Sequence, residues 1–152
     1  MINAYYTLRK VNNMRFTDVT DYGKNPFMTN LEDVTEENTY FRRVLWTGDN
    51  FQLVLMSIPV GEEIGLEIHP DIDQFFMIEE GIGKIYIGDN QDNLFFQRIV
   101  HEGDAIIVPQ GMWHNLVNIG NEPLKLFTIY APVEHPFGKI DVQNPNRFYY
   151  YY

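Results

Sequence analysis

Between Tyr40 and Pro132 the chain is a succession of short apolar runs, each broken after a few residues by Gly, Asn, Asp or Pro. The runs predict strands over 40–47 (YFRRVLWT), 51–59 (FQLVLMSIP), 64–69 (IGLEIH), 74–80 (QFFMIEE) and 83–88 (GKIYIG). More follow over 94–100 (LFFQRIV), 104–109 (DAIIVP), 113–119 (WHNLVNI) and 124–131 (LKLFTIYA). The breaks GDN at 48–50, GDNQDN at 88–93, HEGD at 101–104 and IGNEP at 119–123 carry the residues that tight turns require. Many strands at close, regular spacing indicate an all-β sandwich or barrel, and no helical period runs long enough to compete.

The first 39 residues differ in character and are expected to form an arm lying over a barrel that spans 40–133. Within the arm, TNLEDVTEENTY predicts one short helix, capped by Asn30 and with acidic residues in its first turn. The remainder, 134–152, is read as a C-terminal tail ending NPNRFYYYY. Five aromatic rings are costly to leave in water, so the tail is expected to pack on the barrel or on a neighbouring subunit, which favours a homodimer.

A chain of 152 residues is long enough for one domain with a sizeable core. Its 11 Phe, 10 Tyr and 2 Trp suit strands better than helices. A formal net charge of −10 argues against nucleic acid or an anionic membrane surface as partner, since both need a basic face. With no Cys, disulfides, thiolate nucleophiles and Cys-held zinc or iron–sulfur sites are excluded. The opening MINAYYTLRKVNN lacks the apolar core of a secretory signal, and no apolar run approaches the length that spans a bilayer. The expected compartment is the cytoplasm.

Two stretches do not fit ordinary buried sheet. In GLEIHPDIDQ (65–74), Glu67 and His69 share one face of a strand because side chains alternate. Gln74 falls beside them if the next strand turns back antiparallel after PDID. In GDAIIVPQGMWHNLVN (103–118), His114 follows a Pro–x–Gly turn at the start of a strand. Two imidazoles, a carboxylate and a carboxamide converging inside a barrel would make a divalent-metal site.

The spacing of these residues resembles the two motifs of the cupin superfamily. The second motif is intact: Gly103, Pro109, Gly111, His114 and Asn118. The first opens at Gly61 and closes at Gly81, with His69 in place, Glu67 standing where the family has its first His, and Gln74 where it has Glu. The run IGLEIHPDIDQFFMIEEG, with WHN and PLKLFTIYAPVEHP, is similar to small single-domain bacterial cupins, some labelled sugar-phosphate isomerases. The resemblance covers roughly 40–133 and implies a double-stranded β-helix, a jelly-roll barrel with a pocket at one mouth.

It further implies that positions 67, 69, 74 and 114 carry the metal ligands. Glu67 for His keeps a good ligand and adds charge, whereas Gln74 for Glu offers only a neutral carbonyl oxygen. The N/O set suits Fe(II), Mn(II), Ni(II) or Zn(II) and does not choose among them. The competing reading is that Glu67 and Gln74 merely hydrogen-bond the two histidines. Functionally, the expectation is a metal cupin acting on or binding a small chelating oxo or hydroxy compound. The alternatives are a non-catalytic small-ligand binder, with or without metal, and an isomerase-like enzyme. The last is weakened because neither motif supplies a cation or helix N-terminus for a phosphate.

Alternation turns Phe76, Ile78, Met112 and Leu116 inward, predicting an apolar and aromatic pocket lining, with Trp113 and Met56 at its rim. Asp71 and Asp73 read as caps of the PDID turn, with Asp73 a candidate for orienting a ligand His. Asn118 reads as a structural contact, His101 as a turn residue in water, and His135, in VEHPF, as a surface loop residue.

Overall fold

The computed structural model describes residues 19–146. Among the described residues, one helix, α1 (Leu31–Glu37), precedes ten strands: β1 (Arg42–Thr47), β2 (Gln52–Ile58), β3 (Glu67–Ile68), β4 (Asp73–Glu80) and β5 (Gly83–Gly88). They continue as β6 (Phe96–Val100), β7 (Ala105–Val108), β8 (Trp113–Asn118), β9 (Leu124–Ala131) and β10 (Ile140–Asp141). The last pairs with β1 at Arg42 and Arg43 and has no apolar run to announce it. The expectations for the N-terminal residues 1–18 and for the tyrosines of the tail lie outside the described residues.

All pairing is antiparallel and falls into two sheets, β10-β1-β2-β9-β4-β7 and β3-β8-β5-β6. This is the two-sheet jelly roll expected. One local expectation is overturned: β3 and β4 do not form a hairpin. The PDID turn crosses from one sheet to the other, so β3 pairs with β8 while β4 pairs with β7 and β9. Gln74 therefore lies on the sheet facing that of Glu67 and His69, not on a strand beside them.

The main core lies between the sheets, with Val54, Met56, Phe76, Ile78, Ile85, Leu116, Leu126 and Tyr130 among its members. A second cluster, Val34, Leu45, Leu55 and Phe127, lies on the outer face of the six-stranded sheet. There Tyr22, Phe27 and Leu31 of the N-terminal segment pack over β1, β2 and β9. Burial on both faces explains why FQLVLMSI and LKLFTIY read as continuous apolar runs, while β8, open on one face, alternates.

The helix forms where its cap signals stand. Asn30 accepts from the Asp33 backbone N–H, and Glu32 and Asp33 sit at the positive end of the helix dipole. The segment before it is tied down by Asp21, a buried carboxylate. It accepts from the backbone N–H groups of Gly23 (2.9 Å), Thr47 (3.0 Å) and Gly138 (2.9 Å) and from the Thr47 hydroxyl (2.6 Å). Among the described residues no helix is long and apolar enough to cross a membrane.

Candidate metal centre

Two strands of one sheet and the residue after the first deliver three of the side chains. Glu67 of β3 lies directly opposite His114 of β8, and His69 follows two residues after Glu67 on the same face. The turn before β8 holds this arrangement: Met112 N–H bonds Pro109 O (3.3 Å), and Gly111 N–H bonds His69 O (2.8 Å). Gly111 has φ +76°, a conformation few other residues adopt, so the Pro–x–Gly of the motif is a backbone requirement for placing His114 beside His69.

Glu67 Oε1 stands 3.4 Å from His69 Nε2 and 3.3 Å from His114 Nε2, and one ligand atom from each residue lies within 4.8 Å of the others. His114 Nδ1 is 3.1 Å from the carbonyl of Met112. A carbonyl only accepts, so Nδ1 carries the proton of the neutral ring and Nε2 turns a lone pair toward a carboxylate. Neither Nε2 has an aligned hydrogen-bond partner, although both are buried.

The fourth residue expected from the sequence, Gln74, lies on the facing sheet. Gln52, Tyr130 and Gln74 form one cross-strand row over β2, β9 and β4. Gln74, 2% exposed, donates its amide to the Thr128 hydroxyl (3.1 Å) and leaves its buried Oε1 without a partner. Buried polar atoms without partners are costly, so three of them, His69 Nε2, His114 Nε2 and Gln74 Oε1, call for an explanation. Two imidazole nitrogens, a carboxylate and a carbonyl oxygen fit a divalent cation of hard to borderline character.

Burial disfavours the Glu67 charge, but the His114 and His69 rings, when protonated, donate to it and outweigh burial, holding the carboxyl down at about 2. For His69, burial works against the charged ring, yet Glu67, with help from Glu134, raises its pKa above the ordinary imidazole value. Burial, reinforced by the negative charge of Glu67, raises the Tyr130 phenol.

Phe76, Ile78 and Leu116 have no exposed surface and belong to the core, with half-buried Met112 packed against it. Phe76 meets the His114 ring edge-on at 6.1 Å. Gln52 and Tyr130 share the row of Gln74, so that buried row carries polar groups that alternation did not predict. Met56 is core and not rim. Asp73 accepts from Gln110 N–H (2.9 Å) as a turn cap, and the carboxylate beside His69 is instead Glu134. Asn118 bonds Ile58 O, Glu122 O and Gly120 N–H, a structural role, and His101 is an exposed turn residue.

His135 is not a surface loop residue. It is half-buried, edge-on to Tyr130 at 5.1 Å, and burial, then the charge of Arg42, lowers its pKa to about 4. Glu134, Tyr130 and Gln52 gave no recognisable signal in the sequence, since they lie outside both motifs.

The cupin domain family matches residues 54–130, about half of the chain and all of the donors above. The chain is a cupin. It is 54% identical over 120 residues to the uncharacterized protein YrkC of Bacillus subtilis, covering 79% of this chain and 64% of that one. It therefore spans just under two thirds of that relative. An uncharacterized protein of Acanthamoeba polyphaga mimivirus is 43% identical, over 78% of this cupin and 73% of its own length. The crystal structure of BH2720 from Bacillus halodurans superposes with a TM-score of 0.83 at 53% identity, covering 86% of this cupin and 98% of that chain.

Proposed function

We propose that this cupin holds one divalent metal through Glu67, His69, His114 and Gln74 and uses it to take a small chelating oxo or hydroxy compound. The observation that carries the reading is the convergence of Glu67 Oε1 and two unpartnered imidazole nitrogens within 4.8 Å. Acceptors do not gather so closely in a buried setting without a cation or a proton between them. When bound, such a metal supplies Lewis acidity or oxygen activation at the barrel mouth.

The protein's own part is positioning. The Met112 carbonyl orients His114, Thr128 orients Gln74, and Phe76 packs edge-on against the His114 ring. With both imidazoles engaged as ligands, Glu67 is the candidate base. Tag-free protein analysed for metals should carry about one ion per chain, and His69→Ala and His114→Ala protein should carry none. A metal-free wild type sinks the reading.

A non-catalytic binder is the competing class. Oxygen uptake with Fe(II) across diols, diketones and thiols separates the two. An isomerase acting on sugar phosphates has less support: Arg42, whose charge reaches His69, is committed to Asp141 at 2.6 Å. We further propose a homodimer, supported by Ile99 (57% exposed) on β6 and Ile107 (69% exposed) on β7, the end strands of the two sheets. Light scattering measures it.

A further inference from the structure

We propose that Glu134, on the segment after the last barrel strand, is the positioning residue that selects the tautomer of His69. Its carboxylate accepts from the Nδ1–H of the neutral ring and leaves Nε2 as the metal-facing lone pair. The proposal rests on the metal reading above and extends it beyond both sequence motifs.

A neutral imidazole has one N–H, and the partner of each nitrogen decides which carries it. For His114 the choice is made by backbone, through the Met112 carbonyl. For His69 it is a contest between side chains: Nε2 is 3.4 Å from Glu67 Oε1, and Nδ1 is 3.4 Å from Glu134 Oε1. Were Glu67 the only carboxylate at hand, the proton would belong on Nε2, between ring and ligand oxygen, where it blocks a cation. A carboxylate on the far side of the ring offers the proton a better place and makes Nε2 a stronger donor.

Glu134 is held where the contest requires it. The buried Gln52 side chain clamps the next residue in both directions, donating to His135 O (2.8 Å) and accepting from His135 N–H (2.9 Å). Gln52 also donates to the Thr47 hydroxyl (3.0 Å), which donates to Asp21, which in turn holds Gly138 N–H. A buried hydrogen-bond chain through β1 and β2 thus fixes the loop from 135 to 138. Charge supports the assignment as well: Glu67 and Glu134 together match the two positive charges of a divalent ion.

Two measurements on the full chain test the proposal. Nitrogen-15 NMR of chelator-treated protein at alkaline pH reads the His69 tautomer directly. Nδ1–H is expected in the wild type and in Glu134→Gln, whose amide oxygen still accepts, and a shift to Nε2–H is expected in Glu134→Ala. Competition with a chromophoric chelator for Zn(II) should show Glu134→Ala weaker by about 10- to 100-fold and Glu134→Gln weaker by less. Asp49→Asn, which removes an exposed partner of Lys24, should change nothing. A loop residue this exposed can be replaced without loss of the fold. An unchanged tautomer in Glu134→Ala overturns the proposal whatever zinc does, as does zinc affinity within about twofold of wild type. A wild type that takes no zinc sinks the metal reading alone, and the tautomer still decides the role of Glu134.

Discussion

Glu67 and His114 stand opposite each other across the β3–β8 ladder, with a carboxylate oxygen 3.3 Å from an imidazole nitrogen whose ring proton lies on the other side. Two acceptors so placed make the site want a cation. Glu67→Gln removes the charge but keeps the shape and one carbonyl donor. If Glu67 is a base as well as a ligand, this variant retains metal and loses turnover. Metal content and single-turnover rates measured on the same sample separate the roles, and loss of metal together with turnover leaves Glu67 a ligand only.

Gln74→Glu restores the residue usual in the family at a position that is 2% exposed. A second carboxylate strengthens metal binding, so the gain in Tm on adding Mn(II) or Zn(II) should exceed that of the wild type. Without metal the same charge is buried and uncompensated, and stability falls by roughly 1–3 kcal/mol. Thermal melts with and without chelator should therefore move in opposite directions.

Asp21 joins the N-terminal segment, β1 and the loop at Gly138 through four hydrogen bonds to one carboxylate. Asp21→Ala leaves buried donors unmet and should cost roughly 2–4 kcal/mol in urea unfolding. Because the loop carries Glu134, zinc affinity should fall in the same variant.

His135 gives the protein a pH-dependent stability. Its pKa is lowered to about 4 by burial, reinforced by Arg42, so between the ordinary imidazole value and about 4 the unfolded chain binds a proton that the folded one refuses. Stability contributed by the neutral ring is present above that window and is lost as pH falls through it. His135→Gln should flatten this limb of the curve, measured by denaturant unfolding from neutral to mildly acidic pH. An identical slope in the variant refutes the assignment.

Much of the site was legible because cupin motifs are backbone requirements written in residue types. Gly111 must adopt positive φ, and His114 must follow it at the start of a strand. The strand pattern was equally plain between Gln52 and Ala131, where burial on one or both faces dictates which residues are apolar. Helix α1 was legible from its cap.

What the chain could not show by itself is which elements meet. Period-2 alternation reports the face on which a side chain lies, not the sheet its strand joins, so the β3–β4 crossing looked like a hairpin. Gln52, Tyr130 and Gln74 lie more than twenty residues apart in sequence and form a row only through the β2–β9–β4 register. Glu134 lies in a loop with no period at all, held by a glutamine 83 residues away from its neighbour His135. Local sequence determined the strands, the turns and the donor types. Tertiary pairing alone decided which carboxylate stands behind which histidine, because that depends on long-range hydrogen bonds that no local pattern encodes.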